Sequence, residues 1–360
     1  MRPSSSDHAE SDAIEGLPHP RDTERLFGHA EAEQGLLDAY RTRRLSHAWL
    51  IGGPRGIGKA TLAWRFTRFL LANPDPDGAA VQAASDLSVP RSHPVWARLQ
   101  SGGFADVAVL RREWNDKTKK IFSEIRVDDV REALQLFQRA SAAGGYRICI
   151  IDSADDLNRS SANALLKVIE EPPARSLFLI VAHQPTQVMP TILSRCRKMI
   201  LTGLSPDDVH GAVLATGQVG DAPAADLDAV IGRSHGSVSQ TIRMLSGARL
   251  GLDRDLRQEL DRLPEVDWRA LHRLADRLAA AEAAEPSGIM LETVLDWLDT
   301  RVRTHAMAAT PARRLAPLAE VWEKVRAAAR EAEALNLDKR PLLLSIFADL
   351  AQATRMAGLS

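Results

Sequence analysis

The sequence predicts an α/β fold, a parallel sheet flanked by helices, followed by a small helical module and an all-helical C-terminal domain. Three observations predict it. From about Arg21 helix and strand patterns alternate, which is how strands joined by crossover helices look in one dimension. A glycine-rich turn stands between the first clear strand and a helix, and beyond Leu204 the strand pattern stops. The 360 residues allow two or three domains at roughly 100 to 200 residues each.

The first strand is His47 to Ile51, and Ala60 to Leu71 follows with Leu62, Ala63, Phe66, Phe69 and Leu70 at helical spacing. A stretch from Asn73 to Arg91, rich in Pro, Ala, Asp and Ser, reads as an inserted loop. Further strands are expected at Asp106 to Leu110, Arg147 to Asp152, Ser176 to Val181 and Lys198 to Leu201, with helices near Val127 to Ala142 and Ser160 to Glu171. Pro172-Pro173 ends the latter. Ser205 is an N-cap with Pro206 at the first helical position and Asp207 and Asp208 in the first turn. Amphipathic stretches at Asp267 to Glu285, Ile289 to Met307 and Leu315 to Leu335 make the rest helical. The expected segments are a disordered tail at 1–20, a nucleotide-binding domain at 21–203, a helical lid at 204–248 and a helical domain at 249–360.

Charge and composition exclude several classes of function. Lys plus Arg number 46 against 47 Asp plus Glu, a net charge of -1, so no global basic field advertises nucleic acid and any DNA contact must be local. Hydrophobic residues at 45% and charged residues at 26% are those of an ordinary globular protein. The longest central apolar run, Leu177 to Ala182, is too short to cross a bilayer, so no membrane association is expected. The opening residues are polar and rich in Ser, Pro and acids, without the apolar stretch of an export signal, and a cytoplasmic protein is expected. The two cysteines, Cys149 and Cys196, fall in buried-core patterns, where a disulfide is not expected.

Chemistry concentrates in two places. Gly53-Pro54-Arg55-Gly56-Ile57-Gly58-Lys59 is a phosphate-binding loop in its proper context, strand before and helix after. Gly53, Gly56 and Gly58 let the backbone wrap phosphates, the helix N-terminus adds positive potential, and Lys59 reaches the terminal phosphates. The next residue is Ala60, where a hydroxyl should hold magnesium; Thr61 comes one place late. The strand Arg147 to Asp152 ends in the acid that would face the metal, Asp152, but Ser153 stands where a glutamate should polarise the attacking water. Asp155 and Asp156 suit capping or solvent exposure better than catalysis.

Two further stretches, Asn163-Ala164-Leu165-Leu166-Lys167-Val168-Ile169-Glu170-Glu171-Pro172-Pro173 and Pro190-Thr191-Ile192-Leu193-Ser194-Arg195-Cys196, resemble the bacterial DNA polymerase III clamp-loader subunits of the AAA+ class. The resemblance covers about Arg21 to Gly247 by motif, and the helical remainder by architecture only. It implies an AAA+ P-loop core, a lid and a collar domain that oligomerises with homologous subunits. It also implies a role within a DNA-directed DNA polymerase holoenzyme: loading a sliding clamp onto primed DNA. Ala60, Ser153 and Ser239, the last where motor subunits place a γ-phosphate-sensing arginine, make the chain look like the delta-prime type rather than the ATP-hydrolysing tau/gamma motor. On this resemblance its own ATPase is absent or very weak. The implied partners are the motor and delta subunits, the clamp and, through the complex, DNA. The implied role of Arg195 is a finger offered to a neighbour's ATP. Whether ATP and Mg occupy the Lys59 loop without hydrolysis stays open, as does the alternative of a stand-alone nucleic-acid-binding AAA+ protein.

Relatives in this family often carry a four-cysteine zinc site after the first helix. Here His93 is the lone soft ligand in that stretch and His93-Pro94 reads as a turn, so no zinc or other structural metal is expected. The basic stretch Arg111, Arg112, Lys117, Lys119 and Lys120, with Trp114 among them, has two readings, a contact with DNA phosphate or a partner, and a solvated hairpin.

Overall fold

The computed structural model describes residues 10–13, 17–138, 144–218, 223–245, 247–280, 285–307, 311–334 and 338–358. The chain divides into two compact units, Met1–Ile242 and Arg243–Ser360. The three expected segments after the tail therefore regroup. The lid helices belong to the first unit, and the boundary falls within the last of them.

The first unit opens with a 3-10 turn, Pro20–Asp22, and α1, Ala30–Arg41. Strand β1, Ala48–Gly52, leads through the glycine loop into α2, Lys59–Ala72. The expected loop after it is not wholly irregular, because it contains the short helix α3, Ala79–Ala83; α4, Val95–Gln100, follows. Then come β2, Val107–Leu110, the two-residue strands β3, Trp114–Asn115, and β4, Lys120–Ile121, and α5, Val127–Leu134, continued by a 3-10 turn at Gln135–Gln138. The rest of the helix expected to reach Ala142 lies outside the described residues. Strand β5, Arg147–Asp152, helix α6, Arg159–Glu170, strand β6, Ser176–Ala182, helix α7, Pro190–Leu193, and strand β7, Arg197–Ile200, complete the α/β part.

Strands β2, β5, β6, β1 and β7, in that order, form one parallel sheet. A sheet covered on both faces must be apolar on both, and the alternation of each central strand divides its side chains between two cores. Trp49, Ile51, Ile148, Ile150, Leu177, Leu179 and Val181 pack on the side of α1 and α2. Ala48, Leu50, Cys149, Ile151, Phe178, Ile180 and Ala182 pack on the side of α5, α6 and α7. Every residue of β1 and β6 is buried, so the C-terminal ends of these strands emerge from a rigid layer. That edge of a parallel sheet is where ligands are met.

The lid consists of α8, Pro206–Thr216, α9, Ala224–Arg233, and α10, Val238–Leu245. Ser205 caps α8 as expected, its hydroxyl accepting from Asp208 N–H at 3.1 Å. The second unit holds α11, Gly247–Asp261, α12, Trp268–Ala280, α13, Glu285–Met307, α14, Ala312–Ala334, and α15, Lys339–Ala357. They close on an apolar core that includes Leu256, Leu271, Val294, Leu343 and Phe347. Polar groups at its margin are paired: Thr293 donates to Asp253 at 2.8 Å and Trp297 to Asp261 at 3.0 Å. Among the described residues no helix is long and apolar enough to cross a membrane.

Residues 1–20 do not behave uniformly as the expected tail. Of the stretch, 10–13 and 17–20 are described, and there Asp12 and His19 are buried with side-chain exposures of 1% and 7%.

Candidate functional site

The glycine loop bridges β1 and α2, as its position in the sequence requires. Gly58 is the N-cap of α2 at φ 100°, a left-handed conformation that costs glycine little. Gly56, at φ 75°, is pressed from outside: a Cβ there would collide with the hydroxyls of Ser237 and Ser239 at the start of α10, and Val238 N–H donates to the Gly56 carbonyl at 2.9 Å. The lid thus sits directly on the loop. Ser239 is buried, its small side chain packed against Gly56.

Lys59 is 3% exposed, and its ammonium turns back into its own loop. It donates to the Gly53 carbonyl at 2.7 Å and to the Pro54 carbonyl. Burial pulls its pKa down to about 8, opposed by the charges of Asp152 and Asp155. Across the edge of the sheet, burial pushes Asp152 up to about 7, and Asp12 adds to the rise while Lys59 and His19 work against it. Ala60 brings no hydroxyl, and Thr61 lies half-buried in the first turn of α2. With Ala60 in place of a metal-holding hydroxyl and Ser153 in place of a water-polarising carboxylate, the donor set does not fit Mg·ATP poised for hydrolysis.

Ser153 is buried and its hydroxyl lies 3.4 Å from Asp156 Oδ2. The two acids beyond it have architectural work. Asp155 accepts from the backbone N–H groups of His183 and Gln184 at 2.6 and 2.7 Å, tying the loop after β5 to the loop after β6. Asp156 pairs with Arg112 at 3.1 Å.

Sequence reasoning missed three components of this edge. The residue after β6 is His183, whose imidazole burial pushes down to about 4, with Lys59 and Arg55 adding repulsion. The signal was present, since a residue just past a buried central strand emerges beside the site as Asp152 does. His29, at the N-cap of α1, meets the Ile57 carbonyl at 2.8 Å. The third is the N-terminal segment. In the parallel register Leu110 lies beside Ile151, so Arg111 leaves β2 level with Asp152. Its guanidinium donates to Asp12 and Glu10, each at 2.7 Å, and His19 closes the cluster at 3.2 and 3.1 Å from the same two carboxylates. Burial opposes ionisation of Asp12, yet the His19 hydrogen bond and the Arg111 charge outweigh it and hold the carboxyl below its usual range. Arg68 on α2 fixes the following turn through the Arg21 carbonyl at 2.7 Å. No periodicity marks these acids in the sequence, and their composition is that of a tail.

The basic stretch divides in the same way. Arg111 and Arg112 are taken up by the carboxylates just named, while Lys117, Lys119 and Lys120 are exposed on the hairpin made by β3 and β4. His93 closes a turn, its N–H donating to the Pro90 carbonyl at 2.8 Å. Burial raises the Cys149 and Cys196 thiols to about 12 and about 11, so neither is an activated nucleophile.

Arg195 lies apart from all of this. It follows α7, at a surface corner that α7 shares with α6 through Ile192, Leu166 and Ile169. Its side chain is 37% exposed, with the guanidinium 2.8 Å from Glu170 Oε1 and donating to the Thr191 carbonyl at 2.9 Å.

Residues 28–205 match the family described as "DNA polymerase III, delta subunit". A DNA polymerase III subunit delta' of Pseudomonas aeruginosa is 29% identical over 255 residues, 70% of this chain and 69% of that one. A tau subunit of Salmonella typhimurium is 28% identical over 185 residues, 51% of this chain and 26% of that one. A gamma/tau subunit of Mycobacterium bovis is 29% identical over 286 residues, 77% and 46%. The chain thus spans about a quarter to a half of these two longer relatives. A solved gamma subunit-related protein of Thermotoga maritima covers 89% of this chain and 100% of its own at 14% identity and a TM-score of 0.40. With a parallel sheet carrying a phosphate-binding loop, the family match over residues 28–205 and the similar delta' and tau subunits, the chain belongs to the DNA polymerase III clamp-loader family.

Proposed function

We propose that this chain is the delta-prime-type subunit of a DNA polymerase III clamp loader, a member that hydrolyses no ATP of its own and lends Arg195 to the ATP of a neighbouring motor subunit. The observation that carries this reading is the contrast between an inward-turned Lys59 and an exposed Arg195. Ala60, Ser153 and Ser239 deprive the chain's own site of a metal hydroxyl, a water-polarising carboxylate and a lid arginine. A permanent planar cation at a surface corner suits stabilisation of charge that develops on a phosphate from another chain. On this reading the partners are the tau/gamma motor and delta subunits, with the sliding clamp and primed DNA reached through the complex. Any ATP entering the Lys59 loop is held without hydrolysis.

The test is a loader reconstituted with wild-type chain or Arg195→Ala. The variant is expected to assemble normally and to lower clamp- and DNA-stimulated ATP turnover on the order of tenfold or more, since an arginine finger is worth large factors in phosphoryl transfer. Arg195→Lys should restore little, because an ammonium lacks the guanidinium fork. Equal turnover by wild-type and Arg195→Ala loaders would end this reading. Turnover by the isolated chain at an ordinary enzymatic rate would favour a motor subunit instead.

A further inference from the structure

The end of α6 breaks a local rule. Glu170 and Glu171 close the helix at its C-terminal end, where the macrodipole disfavours carboxylates and favours cations. Violations of this kind concentrate at functional sites. Glu170 has found its cation in Arg195, 2.8 Å away and on a different element. The guanidinium is held from a second side as well: one terminal nitrogen donates to the Thr191 carbonyl at 2.9 Å and to the Ser194 hydroxyl at 3.2 Å. Ser194 in turn donates to Thr191 at 3.1 Å. A long, rotamer-rich side chain on an exposed corner is thereby confined to one direction by a carboxylate, a carbonyl and a hydroxyl. Both supporting helices are anchored through the same core, by Leu166 and Ile169 on α6 and Ile192 on α7.

We infer that Glu170 is a positioning residue for Arg195: the carboxylate at the end of α6 holds the guanidinium pointed at the subunit boundary, so that little side-chain entropy is lost when a neighbour's phosphate meets it. The inference rests on the trans role of Arg195 proposed above. It goes beyond that role in assigning a function to the first glutamate of the Glu170-Glu171-Pro172-Pro173 run. An exposed ion pair kept only for stability would contribute little, and removing a carboxylate from a helix C-terminus offsets part even of that loss.

Steady-state ATP turnover of the reconstituted loader decides the matter, measured with wild-type chain, Glu170→Ala, Glu170→Gln, Arg195→Ala and the Glu170→Ala/Arg195→Ala double variant. Loss of the constraint on a guanidinium should lower kcat roughly threefold to tenfold in Glu170→Ala, with KM for ATP little changed. Glu170→Gln, whose amide oxygen still accepts from the guanidinium at the same reach, should recover much of the loss. In the double variant the Glu170 substitution should cost nothing beyond Arg195→Ala alone, because the two side chains act as one unit. Unchanged or raised kcat in Glu170→Ala, beside a clear loss in Arg195→Ala, overturns the positioning role and leaves the trans role standing. A Glu170→Ala loss of the same factor in both backgrounds overturns it too, since that would mark a merely structural residue. No effect of Arg195→Ala removes the trans role and this inference with it.

Discussion

The glycine-loop edge and the Arg195 corner belong to the same unit and are built from the same sheet, yet their charges face opposite ways. At the loop, Lys59 spends its donors on the Gly53 and Pro54 carbonyls, Asp152 is raised to about 7 by burial, and the lid rests on Gly56. At the corner, Arg195 stands on the surface, its guanidinium beside Glu170, Thr191 and Ser194. A phosphate-binding motif in a sequence is thus no guarantee of an available cation. A cation is turned into its own loop in one place and held at the surface in another.

The largest effect that would sharpen this contrast is at the loop. Gly56→Ala puts a methyl group into the hydroxyls of Ser237 and Ser239 at φ 75°, and should destabilise the first unit by about 2 to 4 kcal/mol through overpacking and strain. Urea unfolding would measure it, and a loss under 1 kcal/mol would mean that the lid does not bear on the loop.

A smaller effect is expected beside it. Arg111→Ala leaves the Asp12 carboxylate buried without its guanidinium partner and should cost about 2 kcal/mol, below the usual figure for a buried pair because Arg111 is partly exposed. Proteolytic cleavage near residues 10–13 should become faster in the variant. Equal cleavage rates would show that the segment is not tethered by this cluster.

The smallest effect is a pH dependence. Because the folded-state pKa of Asp152 is raised from 3.8 to about 7, its contribution to stability is complete below pH 3.8 and is lost as pH rises through 7. Asp152→Asn removes that loss, which accumulates between pH 3.8 and 7, so the variant should gain a few degrees of Tm over wild type at pH 8.5 and clearly less at pH 5. A gain that is equal at both values would place the Asp152 carboxyl in the ordinary range.

The sheet was legible in the sequence almost strand by strand, and so were α2, α5 and α6, while the short helices α3, α4 and α7 were not. Arg147 to Asp152 forms over the expected residues, and β1, β6 and β7 differ by a residue or so at their ends. Runs such as Leu177 to Ala182 leave few alternatives once both faces of a strand must be apolar. The loop motif, the Ser205 cap and the helix stop at Pro172 are also local, because each depends on the chemistry of neighbours within a turn. The positions of Lys59, Asp152 and Arg195 followed from that framework.

What those side chains do there did not follow. Lys59 turns to the Gly53 and Pro54 carbonyls of its own loop, and Ser237 and Ser239 reach Gly56 from far along the chain. Whether Asp152 is charged depends on a burial that only the packed unit imposes. The acids at positions 10 and 12, tail-like in composition, become the partners of Arg111 because β2 ends level with β5. Periodicity reports the face that a residue turns to the core, since that is fixed by its nearest neighbours. Electrostatic state is fixed by which distant groups share the same low-dielectric space, so the sequence alone determined the fold and the motifs of this protein, and the tertiary structure decided which of its charges face outward.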